Sequence, residues 1–197
     1  MTPMSRPAVS RGAWFIFGVC AAAYLVAVLH RTALGVASVD AAARFSIEAT
    51  ALAMLAVLQI AVYALMQVPA GILLDRWGPA RVIVAGSVVL AVGQAVMAFA
   101  PGFWWALAAR VLIGAGDAPI FIAVTRLISM SFPPRRVPVM VQVAGLIGMS
   151  GQLATTIPFA WALREVGWER SFGGLAAAGL IVAAVVSYPH RCNARIA

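Results

Sequence analysis

Three charged side chains fall inside long apolar runs of this chain: Arg31, Arg110 and Asp117. In hydrocarbon each costs at least ~2.5 kcal/mol, so such groups face a bundle interior or a watery cavity. Two guanidiniums and one carboxylate leave a net positive site, suited to holding a small anion and to moving a proton at the carboxylate. Arg110 and Asp117 are seven residues apart. That is close to two helical turns, so with Gly114 they share one helix face. Two assignments stay open. Arg110 and Asp117 form an ion pair that only neutralises two buried charges, or Arg31 and Arg110 orient an anion while Asp117 titrates or pairs with Arg110. His30, beside Arg31, could titrate near neutral pH, although a lone histidine in a helix more commonly packs or hydrogen-bonds. Arg126 lies nearer the end of its run, where snorkelling explains it.

The elements that must position these groups are bilayer-length helices. The chain has 197 residues, 63% hydrophobic and 10% charged, against about 25% charged in an ordinary soluble domain. Apolar runs predict an all-α, polytopic membrane protein with six spans at roughly 14–38, 50–73, 82–100, 103–130, 138–162 and 172–188. Residues 1–13 and 189–197 flank this bundle as an N-terminal segment and a tail. Arg110 then lies roughly 10 Å below the start of span 4 and Asp117 about 10 Å deeper. Gly114, Ala115, Gly116 and Ala118 let a neighbouring helix come close.

All fourteen basic residues are arginine, and their distribution sets an orientation. With the N-terminus inside, eight lie in inner segments (Arg6, Arg11, Arg76, Arg81, Arg135, Arg136, Arg191, Arg195) and three in outer ones (Arg44, Arg164, Arg170). This positive-inside bias puts both termini in the cytoplasm. It also accounts for the net charge of +8 without nucleic acid. Spans 1 and 4 carry charges, spans 2 and 5 polar residues and a late proline (Gln59, Gln67, Pro69; Gln142, Gln152, Pro158), and spans 3 and 6 are nearly all apolar. The order recurs as a 3+3 inverted repeat would give it, with spans 3 and 6 facing lipid.

Between spans 2 and 3, Gly71, Asp75, Arg76, Gly78 and Arg81 follow the spacing G-x-x-x-D-R-x-G-x-x-R. This resembles the loop between helices 2 and 3 of the major facilitator superfamily. Arg110 followed by Gly114 and Gly116 resembles the superfamily's span 4 motif. The run Arg110 to Pro119 and the run His30 to Ala37 are similar to the anion:cation symporter branch, with Asp117 where that branch often has glutamate and His30 where it has aspartate. Phe132-Pro133-Pro134 and Gly167-Trp168-Glu169-Arg170 resemble its loops 4–5 and 5–6. Drug:proton antiporters of the superfamily carry a Gly-Pro pair in span 5, and here no proline follows Gly145, Gly148 or Gly151, so drug efflux ranks lower.

The resemblance implies the N-terminal half of an alternating-access secondary transporter in the plasma (cell inner) membrane, moving a small solute, with an organic anion favoured, by symport with an ion gradient. The loop Gly71–Arg81 would then gate. Taken by itself, Asp75 could accept hydrogen bonds at a helix N-terminus or pair with Arg76 or Arg81, and the loop could also be a plain cytoplasmic anchor. Transporters of this kind have about twelve spans, so a second six-helix half or a homodimer is the expected partner, alongside the bilayer and a small-molecule substrate. A non-transporting truncated membrane protein or a partner subunit is the alternative. The sequence has no H-E-x-x-H and no G-x-S-x-G, so neither an enzyme, a metal centre nor a cofactor is expected. Cys20, inside span 1, and Cys192, in the tail, are not expected to pair.

Overall fold

A computed structural model of the chain describes residues 11–193, with side chains described from 12 to 187. The arginines expected at Arg6 and Arg195 lie outside the described residues, as do the side chains of Arg11 and Arg191. Helices make up the fold: α1 (Arg11–Val36), α2 (Ser38–Phe45), α3 (Ala49–Leu65), α4 (Gln67–Trp77), α5 (Pro79–Ala98), α6 (Phe103–Ser131), α7 (Val137–Ala154), a π-helical turn (Thr155–Phe159), α8 (Ala160–Val166) and α9 (Trp168–Asn193). Among the described residues there is no strand. Among the described residues five helical segments are long and apolar enough to cross a bilayer, and a bent pair raises the number to six.

Two spans are broken. The second pauses at Met66 between α3 and α4, three residues before Pro69. The fifth widens into the π turn from Thr155, three residues before Pro158. Proline lacks the N–H that a continuous helix needs there, which is why both breaks sit beside one. Each broken span ends nine residues after its proline on a glycine, Gly78 (φ 76) or Gly167 (φ 83), a backbone conformation other residues rarely adopt. Pro79 then opens α5 at the first helical position, where its missing N–H has no helical partner to lose.

The loop expected between spans 1 and 2 contains the short helix α2, which meets α3 at 116°. Its eight residues are amphipathic, burying Ala41 and Phe45 while Asp40 and Arg44 sit in the first and last turns, where they complement the helix dipole. Span 3 differs from its expected lipid-facing role. Helix α5 packs on both α6 and α9 and buries Ser87 and Gln94. Close approach at Gly86, Gly93 and Gly116 makes this possible: a Cβ on Gly116 would lie 2.7 Å from the carbonyl oxygen of Gly86.

The core forms two apolar clusters. One runs through Phe17, Ala27, Leu90, Ile113, Ala144 and Phe132, the other through Ala33, Phe45, Leu55, Met97, Ala109, Phe159 and Phe172. Helix α1 passes between them from Ala27 to Ala33, α5 from Leu90 to Met97, and α6 from Ala109 to Ile113. His30, Arg31, Thr32, Gln94 and Arg110 occupy those gaps, and Thr155 falls between the Ala144 and Phe159 contributions of the fifth span. These six polar groups thus lie where the two apolar clusters meet, and Asp117 sits further along α6, between Ile113 and Ile120 of the first cluster.

Candidate functional site: a charged belt between α1 and α6

Arg31 Nε lies 3.4 Å from Asp117 Oδ2, with the arginine side chain 33% exposed and the aspartate 3%. Asp117 therefore pairs with the arginine of α1, and the expected pairing with Arg110 on its own helix is not formed. Arg110 is 2% exposed. Its Nη2 donates to the backbone carbonyl of Arg31 at 3.4 Å, while its Nε and Nη1 have no hydrogen-bond partner. The site brings together one compensated guanidinium and one uncompensated guanidinium, a net positive arrangement inside the bundle.

Gly114 is what lets the α6 face sit close to α3. A Cβ there would come within 2.6 Å of the Gln59 carbonyl oxygen, so only glycine permits this contact without a backbone shift. Two aromatic residues join the site that the charge pattern alone did not single out. The Tyr63 ring of α3 lies 5.6 Å from Arg31 Cζ, within cation–π range. The Tyr24 ring stacks at 4.8 Å on Phe121 of α6, and a Cβ on Gly148 of α7 would collide with it. Tyr24 was findable, since it precedes Arg31 by seven residues on the same helical stripe.

His30 is fully buried, and its Nδ1 is 2.8 Å from the Val26 carbonyl oxygen. Its Nε2 faces Gly179 of α9. One residue of helix turns it away from Arg31, and the structure does not bring it to the charged pair. The gating-loop residues form a separate group. Gly71 lies within α4, Gly78 ends it and Arg81 lies in the first turns of α5. Asp75, Arg76 and Arg81 are exposed, and among the described residues none of them makes an ion pair or a side-chain hydrogen bond. Among the described residues no three histidine, cysteine or carboxylate side chains gather within reach of one metal ion.

The sequence profile of the Major Facilitator Superfamily matches residues 16–191, all six spans and both broken ones. The chain belongs to the Major Facilitator Superfamily. It is also similar to an uncharacterized transporter, YybO, of Bacillus subtilis (strain 168), with 30% identity over 131 residues. That match covers 66% of this chain and 30% of the relative, so the matched part spans less than a third of the length of the curated protein it resembles. Membership makes it a multi-pass membrane protein of a transporter family.

Proposed function

We propose that the chain is the N-terminal six-helix bundle of a secondary active transporter, taking a small organic anion across the plasma membrane by symport with an ion gradient. The observation that carries this is the Arg110 guanidinium, buried with two unpartnered nitrogens beside an Arg31–Asp117 pair. A buried donor without an acceptor is expensive to keep, and an anion bound at this belt would supply the acceptors. Arg31 and Arg110 hold the anion and Asp117 carries the coupling proton, released or taken up as Arg31 is drawn toward the substrate. His30 sets α1 against α9, one residue behind the anion site.

The turn Gly71–Arg81 is the cytoplasmic gate in this scheme, with both chain termini on the same side, as the arginine bias supports. Its charges are free to meet a second six-helix half or a second copy of the chain. Binding from one half alone leaves Arg31 a third exposed, and the partner bundle closes over that side.

The test is uptake of a panel of organic acids into proteoliposomes, with and without an imposed pH gradient, for the chain alone and with a partner half. Gradient-dependent uptake lost in Arg31→Gln and in Asp117→Asn is the expected result. Uptake indifferent to the pH gradient would sink the proton coupling, and uptake unchanged by Arg31→Gln would sink the anion site. No uptake under any condition, with the bundle folded, would favour a non-transporting membrane protein.

A further inference from the structure

The π turn of the fifth span is tied to α1 by a hydroxyl pair. Thr155, fully buried at the start of the turn, places Oγ1 2.8 Å from Thr32 Oγ1. Thr32 directly follows Arg31 on α1. Among the described residues this is the only side-chain hydrogen bond between α1 and the fifth span. The rest of that interface is backbone close approach and apolar packing, helped by Gly151, whose Cβ would lie 2.7 Å from the Leu25 carbonyl oxygen.

The two hydroxyls are over-subscribed. Thr32 Oγ1 is also 2.8 Å from the Val28 carbonyl oxygen, and Thr155 Oγ1 is 2.8 Å from that of Gly151. Two protons serve four contacts, counting the longer one from Thr32 Oγ1 to the Leu29 carbonyl oxygen at 3.5 Å, because each hydroxyl has a single O–H to donate. Either threonine can release its own carbonyl and donate across to the other helix. The released carbonyl lies in a helical turn, so the exchange leaves no group stranded. Such a link holds while the fifth span changes its bend, and the span is most able to bend here, at a π turn that contains Pro158.

We propose that Thr155 is a positioning residue: through Thr32 it ties the bend of the fifth span to the turn of α1 that carries Arg31. That turn is held from α6 by Arg110 Nη2 on the Arg31 carbonyl and by Asp117 on the side chain. The threonine pair holds it from the fifth span. Loosening the pair lets Arg31 drift from Asp117. The consequence for transport rests on the anion-binding role given to Arg31 above, and the test does not.

The full chain, with Cys20→Ser and Cys192→Ser, is placed in lipid nanodiscs and read in two ways. Spin labels at Val139→Cys and Trp161→Cys, exposed positions on either side of the π turn, report the bend as a distance distribution. Modification of Asp117 by a hydrophobic carbodiimide, followed by mass spectrometry, reports how well Arg31 covers the carboxylate. Thr155→Val and Thr32→Val should each broaden the distribution and raise the Asp117 rate by about fivefold, the factor expected for one lost hydrogen bond. The double variant should add nothing to either single, and Thr155→Ser should match the parent. Should Thr155→Val not fold, Thr32→Val carries both readouts from the α1 side. Parental bend and parental rate in Thr32→Val and Thr155→Val would overturn the proposal, as would a serine variant that behaves like valine. Loss of uptake in Arg31→Gln bears only on the anion site, so the two ideas fail separately.

Discussion

Gly78 and Gly167 end the two broken spans with nearly the same backbone, φ 76 and ψ 161 against φ 83 and ψ 175, while the side chains around them do opposite things. At Gly167 the turn closes on its own bundle. Glu169 meets Arg44 of α2 at 3.2 Å, the Trp168 indole N–H donates to the Met97 carbonyl at 3.1 Å, and Phe45 sits edge-on to Trp168 at 5.7 Å. Arg44 also lies 5.6 Å from the Trp168 ring. At Gly78, Asp75, Arg76 and Arg81 stand exposed with no ion pair among the described residues. The charges themselves are reversed: Asp75-Arg76 stand three and two residues before Gly78, and Arg164-Glu165 stand three and two before Gly167.

One backbone device has thus been used twice, and the difference lies after the glycine: Trp168 and Glu169 are held by the bundle, while Arg164 and Glu165 before Gly167 are as exposed and as bare of ion pairs among the described residues as Asp75 and Arg76 before Gly78. A turn whose following tryptophan and glutamate are held by the bundle is a structural clasp. A turn of the same shape left bare is where another surface can act, which supports placing the gate at Gly71–Arg81. The same asymmetry holds at the breaks. Thr155 is pinned to α1, whereas no side-chain hydrogen bond among the described residues anchors Met66 or Gln67.

The largest test of the contrast lies just after each glycine. Trp168 is buried against Phe45 and Phe172, so Trp168→Ala should cost about 3–5 kcal/mol, the usual figure for a buried aromatic. Pro79, in the corresponding place, should cost under about 1 kcal/mol when replaced by alanine, mostly through the unfolded chain. Reversible unfolding in mixed micelles, followed by helical circular dichroism, measures both. Comparable losses would mean that the two turns are equally integrated and that the contrast is false.

The glycines themselves should behave alike. Nothing lies within 4 Å of a Cβ built on either Gly78 or Gly167, so alanine meets no clash and only the strained backbone matters. That region is essentially glycine-only, and forcing alanine into it costs of order 1–3 kcal/mol. Gly78→Ala and Gly167→Ala should therefore lose similar stability in the same assay. A large difference between them would break the claim that the backbone device is shared.

How much of this was legible beforehand follows from what sequence can encode. The helical spans and the close approach allowed by the small residues at Gly114 and Gly116 depend on one helix at a time, and the structure agrees with them. The partner of Asp117 depends on the relative height of two helices 86 residues apart in sequence, which no local pattern reports. The burial of α5 was missed because a lipid-facing and a protein-facing apolar helix have the same composition. Helix α2 is hard to read from sequence because eight residues are too few turns for a helical period to stand out. The Gly167 turn reads in the sequence as the break between spans 5 and 6 and as a likeness to a family loop, but its reversed charges hide the match to Gly71–Arg81, which only the proline and glycine spacing preserves.

The smallest effect separates the two turns most specifically. The Arg44–Glu169 pair is solvent-exposed, with the glutamate side chain 58% exposed, so Glu169→Gln should cost well under about 1 kcal/mol at low salt. That loss should shrink further as salt is raised, because exposed charges beyond about 8 Å are already screened at physiological ionic strength and close ones weaken above it. Asp75→Asn should leave the stability of the bundle unchanged at every salt concentration, since the carboxylate has no ion-pair partner among the described residues. In a complete assembly the ranking should invert: Asp75→Asn should impair uptake while Glu169→Gln should leave it near the parental rate. If Asp75→Asn leaves uptake at the parental rate, the bare turn is only an anchor and the gate must be sought elsewhere. If instead it destabilises the isolated bundle in a salt-dependent way, the turn has an internal electrostatic partner after all, and the opposition between the two ends of the bundle disappears.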